Sequence, residues 1–304
     1  MNKRIEKILK NPSVAFLSLG YRGVFNWMSD EQYLKIAYWC KVHKRLNLNC
    51  PETFNEKTQW LKLNNRHPKY TMMVDKYAVK QWVAECIGAE YVIPTLGVWD
   101  KFEQIDFNAL PSQFVLKCTH DSGSIVICRD KSTLDKAHAR RILNKGLGHN
   151  SFWGGREWPY KNVKPRIIAE KYMQEPDGSG IKDYKVFVFN GKARCIQVDY
   201  DRFTNHRRNF YDTDWTYIPF TTCYPTDIRH EIERPPCLGE LLSKAEALVS
   251  CADTPPFLRT DFYIINNKLY FGELTFYHGG GMEIFYPGEW DVILGSWMCL
   301  PEFP

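Results

Sequence analysis

The pattern of apolar and polar residues predicts helices in the first part of the chain and strands in most of the rest. Two predicted helices begin at capping boxes, Ser29–Gln32 and Thr53–Glu56, each followed by a run of apolar and polar residues at helical spacing. Asp75 precedes a third predicted helix over 76–87, and Gly88 is placed to end it. We therefore expect three capped helices before the first strong strand.

Short β-rich runs joined by turn residues follow these helices. Runs 114–118 and 124–128 flank His120-Asp121-Ser122-Gly123, which predicts a hairpin with a small tip. The segment 131–147 has the pattern of a basic amphipathic helix. The segment 146–165 is rich in glycine, proline and aromatic residues, which is typical of a lid or binding loop.

The second half of the chain is predicted to be mostly β-structure. A strand is expected over 167–173, and runs 185–189 and 193–200 form a hairpin around Asn190-Gly191, a dipeptide favoured in two-residue turns. A helix over 240–252 precedes the last predicted hairpin. Together the helices and hairpins predict an α+β fold.

Polar residues interrupt the apolar strands of the last hairpin, 257–276. If 266–268 form a three-residue loop, Asp261 lies opposite Glu273 on one face. Two carboxylates directly across a ladder repel each other unless a cation lies between them, and Mg²⁺ is the natural candidate. A two-residue turn is the alternative, since it places Asp261 beside Gly272 and leaves two ordinary solvated carboxylates. The pattern alone supports both registers.

The size and composition indicate a globular protein with more than one lobe. The 304 residues exceed what one hydrophobic core usually contains. With 44% hydrophobic and 25% charged residues, the composition excludes a disordered chain, a collagen-like repeat and a coiled coil. The net charge of +5 suits phosphate or acidic-sugar ligands better than it identifies a nucleic-acid binder, so no nucleic-acid partner is expected.

Neither the cysteines nor the apolar runs indicate a metal ribbon or a membrane span. The ten cysteines show no C-x-x-C spacing, so buried reduced thiols are expected. The apolar piece 14–19 is short and is followed by Tyr21-Arg22 rather than small residues, which does not fit a secretory signal. We expect a cytoplasmic protein without an integral membrane segment, a location that includes the inner face of the membrane.

Two short features could carry chemistry, and each has a plainer interpretation. Lys117 lies within a β-run, where a cation needs an anionic partner, and the nearby tip 121–124 could fold over phosphates. A lysine that extends from an edge strand to solvent is the alternative. Asp212-Thr213-Asp214 has the D-x-D arrangement of metal-dependent glycosyltransferases, but an ordinary polar turn before Trp215 explains it as well.

The order of these features resembles the ATP-grasp fold. Asp75-Lys76 opens a helix, Lys117 lies in a strand before a glycine-containing hairpin, and 169–173 matches the strand between the lobes, followed by Asp261 and Glu273. The whole chain looks like the teichuronopeptide-biosynthesis branch of that superfamily, whose members act in bacterial surface-polysaccharide pathways. Further segments that carry the resemblance are 51–63, 93–99 and 156–160.

The resemblance implies two α+β lobes that enclose ATP, preceded by a mainly helical region. The expected divisions are a helical N-terminal region over 1–92, a small lobe with the phosphate loop over 93–172 and a large lobe with metal carboxylates over 173–304. The helical first part departs from the usual α/β first lobe of the superfamily.

The resemblance also assigns a nucleotide site. Two lysines would hold ATP phosphates from separate lobes, a flexible loop would cover the phosphates, the strand between the lobes would meet adenine, and a polar pair would follow. By position these residues are Lys76, Lys117, His120, Ser122, Gly123, Ser124, Glu170, Lys171, Tyr172, Met173, Asp183 and Lys185.

Metal and catalytic positions follow in the same way. Asp261 and Glu273 match the Mg²⁺ carboxylates, and Thr275 stands where the superfamily usually has Asn. Arg259 matches the arginine that steadies the acyl-phosphate and the oxyanion formed when an amine attacks, and Lys185 points toward the phosphates.

The resemblance implies an ADP-forming carboxylate-amine ligase that uses ATP and Mg²⁺. The expected substrates are an amine or amino acid and a uronic acid or amino acid of a surface polysaccharide, capsule or precursor. Candidate substrate-binding residues are Arg156, Arg202, Arg207, Arg208, His278, Gly279, Gly280 and Gly281. A solvated basic surface is the alternative for the arginines. A sugar-nucleotide-dependent glycosyltransferase based on Asp212 and Asp214, or a nucleotide-binding protein without ligase activity, are the alternative functions.

Overall fold

The computed structural model describes residues 11–175, 177, 180–201 and 204–302. Within these residues the chain forms helices and two sheets whose strand pairs are all antiparallel. The helices are α1 (Pro12–Tyr21), α2 (Asp30–Val42), α3 (Phe54–Asn64), α4 (Lys69–Val74), α5 (Val79–Ile87), α6 (Lys136–Leu147), α7 (Phe152–Gly155), α8 (Leu238–Cys251) and α9 (Glu289–Ser296). The strands are β1 (Thr95–Trp99), β2 (Phe114–Cys118), β3 (Ile125–Cys128), β4 (Ile167–Lys171), β5 (Asp183–Phe189), β6 (Lys192–Tyr200), β7 (Arg207–Tyr211), β8 (Tyr217–Ile218), β9 (Phe257–Ile265) and β10 (Lys268–Thr275).

A four-stranded sheet forms the small lobe, with the strand order β1-β4-β2-β3. On β2, Phe114, Leu116 and Cys118 are buried, whereas Val115 and Lys117 between them are only half-buried. The buried side packs against α6, with Leu143 among the fully buried residues of the same core. The other side of the sheet therefore carries Lys117 toward the interlobe cleft.

A six-stranded sheet forms the large lobe, with the order β10-β9-β5-β6-β7-β8. Helix α8 contacts β5, β6 and β9, and apolar residues such as Val186, Leu258 and Val198 fill its core. Because side chains alternate along a strand, the residues between these apolar positions lie on the opposite face. That face carries most of the charged residues described below.

The hydrophobic core of the large lobe also includes helices from the first part of the chain. Phe54 of α3, Met73 of α4 and Val83 of α5 pack in the same cluster as the six-stranded sheet. Helices α1 and α2 contribute instead to a separate small core around Tyr33 and Tyr38. The helices α3, α4 and α5, which precede the predicted division at residue 92, thus share the core of the large lobe.

The helix starts follow the sequence signals closely at two positions and less closely at a third. Ser29 accepts a hydrogen bond from the Gln32 N–H, and Thr53 and Glu56 form a complete capping box. Asp75 accepts from the N–H groups of Tyr77 and Ala78, so that the regular helix begins at Val79 rather than at residue 76. An additional helix, α4, precedes Asp75.

The last hairpin combines a two-residue turn with a bulge. Lys268 pairs with Ile265, so the turn has the two residues of the alternative register. The register then shifts between Phe271 and Glu273, so that Glu273 nevertheless lies opposite Asp261. The bulge at Gly272 therefore restores the pairing that a regular two-residue hairpin would have lost.

Several elements have no counterpart in the sequence analysis. Helices α1 and α9 and strands β1, β7 and β8 are additional, and the segment 146–165, expected to be a loop, contains α7 and a 3₁₀ turn at Trp158–Asn162. None of the helices among the described residues is long and apolar enough to cross a membrane.

Candidate active site

The centre of the site is a charged cluster on one face of the large sheet. Arg259 donates two hydrogen bonds to Asp261, from Nε to Oδ1 at 2.7 Å and from Nη2 to Oδ2 at 2.6 Å. The same Nη2 lies 3.4 Å from Glu273 Oε1 and donates to Thr275 Oγ1 at 3.0 Å. The guanidinium therefore lies between the two carboxylates, which are paired across the ladder as expected.

Lys185 lies on the neighbouring strand and contacts three carboxylates. Its Nζ bonds with Asp183, lies 2.8 Å from Asp261 Oδ2 and lies 4.0 Å from Asp199 Oδ2. Burial alone would lower the pKa of Lys185, but Asp183 and Asp261 raise it above its ordinary value. The ammonium is therefore a fixed positive charge in a buried acidic environment.

The pKa of Asp261 is held below its ordinary value by its two cationic neighbours. Burial by itself would raise that pKa, but Arg259 and Lys185 stabilise the carboxylate by charge and by hydrogen bonds. Asp261 is consequently ionised at neutral pH, as a ligand for a divalent cation must be.

His278 orients Arg259 from the other side. Arg259 Nη1 lies 2.7 Å from His278 Nδ1, and the imidazole packs edge-on against Phe187. Because the guanidinium can only donate, His278 Nδ1 carries no proton in this arrangement. His278 is buried, so the structure places it behind Arg259 rather than in a position open to a substrate.

The donor set suits a magnesium ion. Asp261 and Glu273 are hard oxygen donors on one face, and Mg²⁺ is typically bound by one or two carboxylates together with substrate phosphates. Arg259 already lies between these carboxylates and offsets their repulsion, so their pairing does not by itself require a metal ion. Among the described residues no group of three or more histidine, cysteine, aspartate or glutamate side chains forms a metal cage. Phosphate oxygens would thus complete the coordination.

A second cluster lies on the small lobe around Glu170. Lys117 and Glu170 are diagonal neighbours on β2 and β4, with Nζ and Oε2 2.5 Å apart. Lys80 of α5 binds the other oxygen, Oε1, at 2.6 Å. Burial would raise the pKa of Glu170, but the two lysines hold it below its ordinary value. Lys80 was missed in the sequence, although it lies one helical turn after Lys76.

Lys76 connects the charged cluster of the large sheet to the tip of the β2–β3 hairpin. Its Nζ donates to the carbonyl of Asp121 in the tip of the β2–β3 hairpin at 2.6 Å and lies 3.9 Å from Glu273 Oε2. The tip residue Ser124 bonds with the Asp121 carboxylate, and Gly123 has a φ of 123° that favours glycine. Ser122 is exposed at this tip. The structure therefore brings Lys76 and the predicted phosphate loop together at the edge of the Asp261–Glu273 pair.

His120 has a different place from the one expected. It is buried, and its Nε2 lies 3.1 Å from the Gly146 carbonyl and 3.0 Å from the His149 carbonyl. These contacts anchor the hairpin tip to the end of α6. His120 is thus a support of the phosphate loop and is not directed at the cleft.

The residues after Glu170 lead out of the small lobe. The Lys171 N–H donates to the Pro94 carbonyl at 3.0 Å, and its side chain is exposed. The Tyr172 hydroxyl accepts from Arg129 at 3.3 Å, and Met173 is half-buried. As expected for a connection between lobes, this segment lies directly beside the chain that enters the small lobe.

Arg156 is wrong as a substrate-binding residue. Its side chain is fully buried, donates to the Phe25 carbonyl at 2.8 Å and lies over the rings of Tyr33 and Trp153. Its Nε is 3.4 Å from Asp30 Oδ1. An arginine buried this way joins α2 to the segment 152–156 and is not accessible to a ligand.

The other predicted arginines differ in their surroundings. Arg208 is buried and binds Asp199 at 2.8 Å, so it is engaged within the protein and cannot reach a substrate in this conformation. Arg207 lies 3.5 Å from Asp227 and is partly exposed. Arg202 lies outside the described residues. Asp199, not noticed in the sequence, has its pKa lowered to about 2 because Arg208 outweighs the effect of burial.

The glycine loop after β10 is hydrogen-bonded to α3. Gly279, Gly280 and Gly281 have φ values of 58°, 64° and 61°, a region in which only glycine is unstrained. Gln59 donates to the carbonyls of Gly280 and Gly281 at 2.9 and 2.6 Å. A Cβ on Gly281 would lie 2.5 Å from Gln59 Nε2, so no larger residue fits there.

Asp212 and Asp214 form the polar turn rather than a metal site. The Asp212 carboxylate accepts from the N–H groups of Asp214 and Thr216 at 2.9 and 2.8 Å. Both residues lie between β7 and β8, away from the charged cluster described above. The turn interpretation of this motif is the one that the contacts support.

The chain is similar to one known protein family and to several solved structures. The TupA-like ATPgrasp family model matches residues 56–299. Similar solved structures include a D-alanine–D-alanine ligase from Bacillus anthracis complexed with ATP (15% identity, 67% of this chain and 53% of that chain, TM-score 0.40). Another is the ADP complex of PurK, an N5-carboxyaminoimidazole ribonucleotide synthetase (13% identity, 82% and 57%, TM-score 0.46). No curated protein matches the chain.

These solved structures are longer than the region that they share with this chain, which spans 53% and 57% of their lengths. The family match covers most of the present sequence, including the charged cluster around Arg259 and the cluster around Glu170. It confirms the predicted α+β fold with a helical N-terminal region. The chain belongs to the TupA-like ATP-grasp family.

Proposed function

We propose that the protein is an ATP-dependent, ADP-forming ligase that joins a carboxylate to an amine. The observation that carries this proposal is the convergence of Lys76, Arg259 and Lys185 around the Asp261–Glu273 pair, directly beside the hairpin tip of the small lobe. Three fixed cations and two carboxylates at one cleft suit a triphosphate and its metal ion.

The roles of the chain's own residues follow from their positions. Lys76 and the 121–124 tip contact phosphate oxygens, and Lys117 does so after exchanging part of its contact with Glu170. Asp261 and Glu273 hold Mg²⁺, which when bound neutralises phosphate charge. Glu170 and the backbone at 171–173 contact the adenine edge. Thr275 holds Arg259 and is available as a neighbouring oxygen.

The chemical step needs no covalent bond to the protein. A substrate carboxylate oxygen attacks the γ-phosphorus, and the bond from that phosphorus to ADP breaks, which leaves an acyl-phosphate. The amine nitrogen then attacks the acyl carbon; the C–O bond to phosphate breaks, phosphate leaves with the electron pair, and the amine loses a proton. Arg259 is placed to stabilise the negative charge that develops on the acyl oxygen.

For the substrates, we propose a uronic acid or amino acid of a surface polysaccharide or its precursor as the acyl donor. The support is the family match. Arg207, whose side chain is partly exposed, is the candidate contact for an anionic group of this donor. Because the reaction consumes ATP, the cytoplasm is the compartment in which we place the protein.

The proposal is tested by ADP release in the presence of Mg²⁺, a panel of uronic acids and amino acids, and hydroxylamine as a trap for acyl-phosphates. We expect acid-dependent ADP release and hydroxamate formation, both lost in Glu273→Gln. Asp214→Asn, which changes an exposed turn carboxylate, is the matched control and should retain both. Sugar-nucleotide cleavage that disappears in Asp212→Ala, or ADP release indifferent to Glu273→Gln, would contradict the proposal.

A crystal soak with a nonhydrolysable ATP analogue and Mg²⁺ provides an independent test. The analogue is expected between the two lobes, with its phosphates at Lys76 and the metal ion at Asp261 and Glu273. Binding elsewhere would remove the structural basis of the assignment.

A further inference from the structure

A cavity of about 320 Å³ lies beside the charged cluster and is not used by the roles assigned above. Its walls come from four parts of the chain: α1 and α2, the tip of the β2–β3 hairpin, the segment 154–160 and the glycine loop after β10. Tyr21, Lys41, Ser122, Glu157 and Gly280 are among the lining residues. Since Ser122 belongs to the predicted phosphate loop, the cavity is continuous with the place proposed for the ATP phosphates.

Glu157 is the acidic residue of this cavity. It is half-buried, and its carboxylate makes no hydrogen bond or ion pair within 4 Å with any residue in the described part of the chain. Burial raises its pKa above the ordinary value, with smaller opposing effects from Lys62 and Arg259. A carboxylate taken partly out of water without a partner is costly, and a cationic ligand would remove that cost.

Lys62 is the cation with the largest favourable effect on Glu157, but its ammonium group donates its hydrogen bonds to other residues. The buried ammonium donates to Gln59 Oε1 at 3.1 Å, to the Gly155 carbonyl at 2.9 Å and to the Gly280 carbonyl at 2.7 Å. An ammonium group has three donors, and all three are used. Lys62 therefore holds the two glycine segments together beneath the cavity and leaves the Glu157 carboxylate open to a ligand.

Glu157 lies beside the glycine loop that follows β10, since a Cβ on Gly280 would lie 3.5 Å from Glu157 Oε1. The charges of Arg259 and Glu273 also act on the pKa of its carboxyl group. The loop carbonyls at Gly155 and Gly280 are already occupied by Lys62, so the carboxylate is the main acceptor that remains for an incoming ammonium. At the far wall, the exposed Lys41 supplies a positive charge.

We propose that this cavity binds the amine substrate, with Glu157 contacting its ammonium group and Lys41 contacting an acidic group at its other end. The ligand class is therefore a small zwitterion, an amino acid, rather than a simple amine. The inference rests on the proposed ligase function. Before attack, the ammonium transfers one proton to the Glu157 carboxylate, and the neutral amine nitrogen then forms the bond to the acyl carbon. As the C–O bond to phosphate breaks, the second proton leaves the nitrogen with the departing phosphate. The proton on Glu157 is released to solvent after the amide has formed.

The test measures equilibrium binding by calorimetry of the twenty L-amino acids and of ethanolamine, with and without an ATP analogue and Mg²⁺. We expect at least one amino acid to bind the wild-type protein and ethanolamine to bind much more weakly. Glu157→Gln should weaken amino-acid binding by about tenfold or more, the effect of losing one charge-assisted hydrogen bond. Lys41→Met should weaken amino-acid binding and leave ethanolamine unaffected.

Two controls distinguish a failure of this inference from a failure of the proposed ligase function. Glu103→Gln removes an exposed carboxylate of the small lobe and should change no affinity, and the ATP analogue should bind Glu157→Gln as it binds the wild type. Equal amino-acid affinities in wild type and Glu157→Gln would overturn the inference, as would a wild-type protein that binds the nucleotide but no amino acid. A wild-type protein that binds no nucleotide would instead overturn the proposed function. The affinity of the cavity for amino acids is measured separately in that case, in the titration without nucleotide.

A kinetic readout distinguishes contact with the amine from a merely structural role. With hydroxylamine, which is neutral at pH 7, hydroxamate formation in Glu157→Gln should equal that of the wild type, because no ammonium has to be bound or deprotonated. With the cationic amino acid substrate, the same variant should show a raised KM and a lowered kcat. Equal losses with both nucleophiles would assign Glu157 to the fold of the cavity and contradict the proposal.

Discussion

Asp261 and Glu273 lie directly opposite each other across β9 and β10, and the residue that makes this possible is the bulged Gly272 between Phe271 and Glu273. The two carboxylates differ in surroundings, since Asp261 is 2% exposed whereas the side chain of Glu273 is 38% exposed. Because of this difference, we expect Asp261 to contribute to the stability of the fold as well as to metal binding, and Glu273 to contribute to metal binding alone.

Substitution of the two carboxylates is therefore expected to have unequal effects on stability. Asp261→Asn leaves the buried Arg259 and Lys185 without their shared anion, and we expect a loss of about 3–5 kcal/mol in the free energy of unfolding. Glu273→Gln should change it by no more than about 0.5 kcal/mol. Both variants should lose roughly hundredfold or more in Mg²⁺-dependent ADP release. Urea unfolding and an ADP assay measure the two effects, and a stable Asp261→Asn variant would refute the first.

The lysines on Glu170 are expected to differ in their importance for ATP. Lys117 lies on the cleft side of β2, whereas Lys80 also donates to the Ile93 carbonyl at 2.7 Å and is held in place by it. Lys117→Met should weaken ATP binding by about tenfold to hundredfold, the value of a charge-assisted hydrogen bond. Lys80→Met should weaken it less. Calorimetric titration with an ATP analogue is the measurement, and the reverse order would assign the phosphate contact to Lys80.

Acid should destabilise the protein partly through Asp199. Its folded-state pKa of about 2 is below the ordinary 3.8, so the ion pair with Arg208 contributes stability above pH 3.8 that is lost as pH falls toward 2. The contribution is about 2 kcal/mol. Asp199→Asn should therefore be less stable than the wild type at pH 7, and the difference should narrow by about this amount at pH 2. A difference that stays constant with pH would show that Asp199 is not perturbed.

Glu157 should give the opposite pH dependence. Its pKa is raised in the folded state, where Lys62, Arg259, Glu273 and Tyr160 are the titratable groups around it, so its ionisation costs stability as pH rises from the ordinary pKa through the raised one. Glu157→Gln should gain stability relative to the wild type at pH 7. This gain should diminish as pH falls to the ordinary carboxyl range. Thermal unfolding of both proteins from pH 4 to pH 7 tests the sign.

Arg156 should affect folding rather than ligand binding. Arg156→Ala removes the bond to the Phe25 carbonyl and the stacking on Tyr33, and we expect a loss of about 1–3 kcal/mol with the KM for ATP unchanged. Arg207→Ala, which removes a partly exposed arginine, is the control and should unfold like the wild type. An Arg156→Ala variant of normal stability but raised KM would restore the original expectation of a substrate contact.

The sequence predicted elements well where the signals are local. The capping boxes, the Asn190-Gly191 hairpin and the strands around Lys117 depend on residues close together in the chain, and the structure contains all of them. The sequence left two registers of the last hairpin open, and the structure combines the two-residue turn of one with the Asp261–Glu273 pairing of the other. The bulge at Gly272 makes this combination possible, and hydrophobic alternation does not specify where such an extra residue is accommodated.

The sequence could not show contacts between distant segments. Nothing local marks Arg156 as buried, since Asp30 and Phe25 lie far away in the chain. Glu157 is likewise an ordinary residue until the glycine loop and α3 are brought beside it. Lys80 could have been found, because it lies four residues after Lys76 and therefore on the same face of the helix that the sequence predicts over 76–87.

The small lobe is inserted into the large lobe, because Phe54, Met73 and Val83 precede it in the chain and share the core that continues at Val186. The chain enters and leaves the small sheet side by side, where the Lys171 N–H donates to the Pro94 carbonyl. Between these two points the segment 152–163 returns to the large lobe, since Val163 lies in the same core as Phe54 and Lys62 binds the Gly155 carbonyl. The small sheet is therefore tied to the large lobe at three places along the chain, which restricts its movement more than a single hinge would.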